Sequence, residues 1–312
     1  MSGLVLQLAL LQVGLPLALI VLNAFVPTAS RWGLFLRTAA IALLIAYAAL
    51  AGIWLFPPWW TPWLLELLLV GSTIWRIRRI GSPRRAWSRF TEIALAGLAS
   101  VGCLVLLWPP IAGRATPYDA IDIAMPLGAG SYLVISGGTS ETINAHIPFL
   151  SLERAQHMRG QGYAVDIIGI DQWGLHAKGI APADPRRYVI YGKPVLSPCD
   201  GTVAWITDGV QDMVVPEVDR DHMTGNSVLL DCGSFAVLLA HLAPQSISVS
   251  VGTQLQAGDQ LGAVGNTGNT SEPHLHVHVQ QDIPAGDPLA GDPHWMTIGG
   301  RFLVRNEAFT VQ

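Results

Sequence analysis

The stretch Gly265-Asn266-Thr267-Gly268-Asn269, followed by His274-Leu275-His276-Val277-His278, decides how the C-terminal part of this chain is read. The glycine-rich segment marks a turn, and the histidine-rich segment reads as a strand entered from it. On a strand alternate residues share a face. His274, His276 and His278 therefore line one side, and Leu275 and Val277 pack on the other. Three imidazoles on one face of a strand supply the nitrogen donors that zinc selects.

Working outward, short β-type runs recur from residue 117 onward, broken by glycine, proline and aspartate. Strands are expected at 132–135, 164–170, 188–191, 202–207, 227–231, 234–242, 260–264 and 275–280. One short helix is expected at 151–160. Residues 208–226 are polar and acidic and read as an exposed loop, a candidate lid. The expectation is a mainly-β domain, an antiparallel twisted sheet, over residues 114–312.

Residues 1–113 are physically different. From Met1 to Arg114 the charged side chains are nine arginines and two glutamates, Glu66 and Glu92, and eight of the 11 tryptophans precede residue 110. Four apolar stretches, at 4–26, 34–56, 60–75 and 93–107, are apolar all round and read as an α-helical membrane domain of about four spans. The third is the weakest candidate, because it is short and contains Glu66. Only Met1, Ser2 and Gly3 precede the first, so the basic leader of a cleaved signal peptide is missing. Arg31 lies between the first two spans and Arg37 at the start of the second. Arg76, Arg78, Arg79, Arg84, Arg85 and Arg89 lie between the last two. By the positive-inside rule both groups are cytoplasmic, and the chain after Trp108 emerges on the outer side. The expectation is a multi-pass protein of the cytoplasmic membrane, with the bilayer as one partner and an extracytoplasmic C-terminal domain.

From Ala115 onward the chain carries 20 acidic residues against nine basic ones, which excludes nucleic acid as a partner. An oxidising compartment permits Cys199 and Cys232 to pair; the sequence leaves open whether they touch. Cys103 falls within the last span and reads as an inert apolar residue.

Further metal-binding candidates lie upstream of the histidine strand: His146, Asp166 in Tyr163-Ala164-Val165-Asp166, and His241 in Leu238-Leu239-Ala240-His241-Leu242. Asp166, Pro198-Cys199-Asp200-Gly201-Thr202-Val203, Ala240-His241-Leu242, the segment Gly252 to Gly262, and the turn leading to His274-Leu275-His276 stand in an order that resembles the lysostaphin-type zinc metallopeptidases. These are β-sheet enzymes that cut peptide cross-bridges of bacterial cell walls. The resemblance covers about residues 130 to 280.

It implies a zinc cofactor held by a histidine, an aspartate and the second histidine of the His-x-His pair, here Asp166 and His276. It implies that His241 and His274 flank the substrate carbonyl and assist proton transfer or oxyanion stabilisation. It also implies peptidoglycan peptides as substrate; the spans, which lie outside the resemblance, would place the domain near the growing wall, with membrane-embedded cell-wall machinery as a further partner. Two positions depart from the family. Where its first histidine usually stands, four residues before the aspartate, this chain has Gly162; His146 is the preferred replacement and His157 the alternative. His278 stands where relatives often carry a carboxylate, and is either a support for the zinc ligands or a plain exposed residue. His176, His222 and His294 read as surface residues. Loss of the usual histidine position keeps an alternative open, a peptidoglycan-binding regulatory module that activates other wall hydrolases.

Overall fold

The computed structural model describes all residues except Met1, Ser2, Ala29 and 80–85. The chain divides into two compact units, Met1–Ala112 and Gly113–Gln312.

The first unit is helical: α1 (Gly3–Ala9), a π turn (Leu10–Gly14), α2 (Leu15–Phe25), α3 (Arg31–Ala51), α4 (Thr61–Ile77) and α5 (Ala86–Ala112). Ser30 caps α3 by accepting from the Gly33 N–H at 2.9 Å, which satisfies one of the orphan donors of the first turn. Four spans were expected; among the described residues three helices are long and apolar enough to cross a membrane, Leu6–Phe25, Arg31–Ala51 and Arg89–Ala112. The expected third span is α4, which has 17 residues. At 1.5 Å per residue it reaches about 25 Å, short of a hydrocarbon core of about 30 Å. Arg84 and Arg85 of the expected cytoplasmic loop lie outside the described residues. Asn23 gathers the polar side chains of this unit: its amide donates to Ser72 and Thr73, each at 3.0 Å, and its oxygen accepts from Arg37 Nε at 3.0 Å.

The second unit contains β1 (Ile121–Ile123), β2 (Gly130–Ser136), β3 (Val165–Ile170), β4 (Pro194–Leu196), β5 (Gly201–Thr207), β6 (Asn226–Asp231), β7 (Ala236–Leu242), β8 (Gln254–Leu255), β9 (Gln260–Ala263), β10 (Leu275–Gln280), β11 (Pro293–His294), β12 (Met296–Ile298) and β13 (Ala308–Val311). The main sheet runs β13-β2-β3-β10-β7-β6-β5-β8, with β11 added to β10. All its pairings are antiparallel; β1 and β12 form a separate parallel pair, and β4 pairs with β9. Seven of the expected strands form. The exception is 188–191, where Tyr188 makes one isolated bridge to Ala177 and the chain then turns. Gly192, at φ +75°, completes that turn, a conformation that suits glycine. The expected helix at 151–160 is a 3-10 segment, Glu153–Tyr163.

The alternation read from β10 holds in three dimensions. Leu275, Val277 and Val279 belong to the main core with Val165, Ile167, Val237 and Leu239. The opposite face of the sheet carries the histidines and a smaller apolar cluster of Leu229, Leu238, Ala240 and Leu289. Cys199 and Cys232 form a disulfide, with their Cα atoms 6.0 Å apart.

Candidate metal centre and flanking histidines

β3 and β10 are neighbours, and their register sets Asp166 directly across from His276. Directly opposite residues of an antiparallel pair share a face. The sheet therefore brings together two residues 110 positions apart, with Asp166 Oδ1 3.0 Å from His276 Nδ1. His146 enters from the segment after β2. Its Nε2 lies 3.4 Å from Asp166 Oδ2, and its ring centroid is 4.9 Å from that of His276. One ligand atom from each of His146, Asp166 and His276 falls within 4.8 Å of the others, and all three residues are buried. His157, the alternative to His146, is exposed on the 3-10 segment and stands outside this group.

The segment around His146 is pinned by backbone. Asn144 Nδ2 donates to the carbonyls of Gly138 and Ala164, at 3.0 and 3.2 Å. That fixes which end of the amide is oxygen. Asn144 Oδ1 then faces the His146 main-chain N–H at 3.0 Å and Nδ1 at 3.1 Å. His146 Nδ1 therefore carries the proton and Nε2 presents a lone pair toward Asp166. His274 has the same arrangement, with Nδ1 2.9 Å from the Glu272 carbonyl and Nε2 3.6 Å from Asp166 Oδ1. His241 Nδ1 lies 2.8 Å from the Thr267 carbonyl. A carbonyl only accepts, so both rings donate from Nδ1 and keep Nε2 bare.

His241 reaches this face by an irregularity. Ala240 is the β7 residue opposite His276, so regular alternation would turn His241 to the other side. The β6–β7 register shifts between Asn226 and Val228, and His241 adopts φ +62°. A bulge of this kind re-aims a side chain, at a local backbone cost that the surrounding sheet must outweigh. The result sets the His241 ring 4.7 Å from that of His274 and 5.8 Å from that of His276, centroid to centroid.

Burial pushes the His146 imidazole down to about 4 against the pull of the adjacent Asp166 carboxylate. His241 is also pushed well down, first by burial and then by His274 and His276. Burial opposes ionisation of Asp166, and the surrounding imidazoles of His146, His274 and His276 outweigh it and hold the carboxyl well below the usual range. At neutral pH the centre is an ionised carboxylate faced by the bare nitrogen of a neutral imidazole. Two acceptors so placed need a cation between them, and a His-Asp-His donor set suits zinc.

One side chain differs from expectation, and a second, His278, is one that the sequence leaves open between a support for the zinc ligands and an exposed residue. His176, read as a surface residue, is buried, with Nε2 3.4 Å from Glu272 Oε2. His278 is fully buried. Neither burial is legible in the sequence, because both depend on packing between segments far apart in the chain. The acidic loop is also less free than expected. Asp212 accepts from the Tyr191 hydroxyl at 2.5 Å and from the Asn266 N–H at 2.7 Å, which ties 208–226 to the glycine-rich turn.

Residues 188–288 match the family described as Peptidase family M23. The matched residues lie within the second unit, and the family is the lysostaphin-type one that the sequence resembles. The chain is 30% identical over 121 residues to the cell division protein DipM of Caulobacter vibrioides (strain NA1000 / CB15N), which covers 38% of this chain and 17% of that protein. Among solved structures, a peptidase M23 from Pseudomonas aeruginosa shares 32% identity over 29% of this chain and 34% of its own, with a TM-score of 0.24. A zinc containing peptidase from Vibrio cholerae shares 24% identity over 40% of this chain and 27% of its own, with a TM-score of 0.23.

Proposed function

We propose that this protein is a zinc-dependent endopeptidase that hydrolyses peptide cross-links of bacterial peptidoglycan at the outer face of the cytoplasmic membrane. The observation that carries the proposal is the convergence of His146, Asp166 and His276 within 4.8 Å, flanked by the rings of His241 and His274. His146, Asp166 and His276 would hold the metal. When bound, zinc supplies Lewis-acid polarisation of a scissile carbonyl and lowers the pKa of water. The chain's own residues do the rest. His241 and His274 present Nε2 lone pairs, His241 as a neutral ring, so either can take a proton from an attacking water and return it to the leaving amine. Once protonated they donate hydrogen bonds to charge developing on a tetrahedral oxygen.

The apolar helices support membrane attachment. With Arg31 and Arg37 in the first two turns of α3 and the arginines from the end of α4 to the start of α5 on the cytoplasmic side, the chain after α5 emerges outside, which requires α4 to return the chain across the bilayer. The regulatory alternative draws its support from the glycine at 162. His146 now offers a nitrogen toward Asp166, which favours the enzyme.

The test uses the full chain in detergent. Bound zinc is quantified for the wild type and for His146→Ala, His157→Ala and His276→Ala, and each is incubated with purified peptidoglycan while released fragments are followed by chromatography. About one zinc per chain is expected, kept in His157→Ala and lost in the other two, together with new free termini in the wild-type digest. A folded wild type that takes up zinc but releases nothing would replace the enzyme by the regulatory reading.

A further inference from the structure

The face of β10 continues past the metal centre. His276 Nε2 lies 3.0 Å from His278 Nδ1. His278 Nε2 lies 3.2 Å from Gln280 Oε1. Gln280 Nε2 donates to the Asp282 carbonyl at 2.7 Å. His276, His278 and Gln280 are all buried, the last two fully.

Read from its outer end, this chain of contacts has one consistent set of protons. The Asp282 carbonyl only accepts, so the atom of Gln280 facing it is nitrogen and the atom facing His278 is oxygen. An amide oxygen only accepts, so His278 donates from Nε2 and its Nδ1 is bare. A bare Nδ1 accepts from His276, so His276 carries a proton on Nε2, and its Nδ1, 3.0 Å from Asp166 Oδ1, is the nitrogen left for a cation. His276 thus presents Nδ1, where His146 presents Nε2.

The slot for the Gln280 amide is built by two glycines. A Cβ at Gly291 would lie 2.6 Å from Gln280 Nε2, and a Cβ at Gly160 would collide with Gln280 Oε1. The Gly160 N–H is itself bound to the Leu289 carbonyl at 2.8 Å. The backbone therefore holds the amide in place, and the amide sets the two rings in sequence.

We propose that His278, held by Gln280, is a positioning residue that fixes His276 with its proton on Nε2 and its Nδ1 free for a divalent cation. The inference rests on the reading of His146, Asp166 and His276 as the zinc ligands. A partner on the far nitrogen of a metal-binding histidine sets ring orientation and tautomer, and its loss typically weakens affinity about 10- to 100-fold. A histidine does here what a carboxylate would do elsewhere, but it brings no charge and so needs a further acceptor, Gln280, to settle its own proton.

The experiment has two arms, both on the full chain in detergent. Nitrogen-15 histidine spectra of metal-free and zinc-loaded protein at neutral pH report which nitrogen of each ring is protonated. His278 is expected as the Nε2–H form in both samples, and His276 as the Nε2–H form with zinc. His278 found with its proton on Nδ1 would overturn the proposal. Zinc titration against a competing chelator then compares His278→Leu, which removes the acceptor, with His278→Asn, whose Oδ1 can occupy the Nδ1 position. The leucine variant should bind zinc about 10- to 100-fold more weakly, and the asparagine variant should recover most of that loss. Wild-type affinity in the leucine variant, or an equal loss in both, would overturn the role. A wild type that binds no zinc would instead remove the metal reading, while the His278 tautomer in the metal-free sample still decides the hydrogen-bond chain.

Discussion

Gly162 packs directly beneath the side chain of Leu150, so that a Cβ at 162 would lie 2.7 Å from Leu150 Cγ. The first metal-binding histidine of lysostaphin-type relatives usually falls at this position. Here the 3-10 turn Ile147–Leu150, which follows His146, rests on the space that such a side chain would need.

Overpacking at this contact should be measurable. Gly162→Ala is expected to cost about 1–3 kcal/mol, read as a lowered melting temperature. The double variant Gly162→Ala with Leu150→Ala should lose less than the two single losses added together, because both act on one contact. Strict additivity would show that the residues do not share a site.

Metal binding and proton transfer should separate by mutation. His241→Ala and His274→Ala are expected to retain zinc while lowering the rate of peptidoglycan cleavage about 10²- to 10⁴-fold. His146→Ala should lose the metal itself. A His241→Ala chain that also loses zinc would place His241 among the ligands.

The metal-free protein should become less stable as pH falls. His146 is pushed down to about 4, and His241 and His278 are pushed down chiefly by burial. Below a pH of about 6.5 the unfolded chain binds protons that these buried rings do not. Stability is therefore fully present above that point and lost as pH falls toward 4, by at most about 1.4 kcal/mol per pH unit for each such ring. Thermal melts of chelator-treated protein between pH 7.5 and 4.5 test this, and a flat profile would contradict the assignment of neutral buried imidazoles.

The disulfide between Cys199 and Cys232 spans a sequence separation of 33 residues. Closing a loop of that size restricts the unfolded chain and typically adds about 2–4 kcal/mol. Cys199→Ser with Cys232→Ser should lower the melting temperature of non-reduced protein, and a reductant should lower the wild type toward the same value. Insensitivity to both would mean that the bond is absent in solution.

The sequence alone determined the division into an apolar, arginine-bearing part and an acidic β part, because hydropathy and charge act locally along the chain. It determined seven strands and the two faces of β10, because side-chain alternation is a property of a single strand. It also ordered His146, Asp166, His241, His274 and His276 as one set. The tertiary structure decided what depends on a second segment. Register across β3 and β10 set Asp166 opposite His276. A bulge with positive φ turned His241 onto their face, against the alternation that the sequence alone implies. Burial of His176 against Glu272 and of His278 against Gln280 followed from packing. The β3–β10 register, the bulge at His241 and the burial of His176 against Glu272 each join segments separated in sequence, and a one-dimensional pattern carries no record of them.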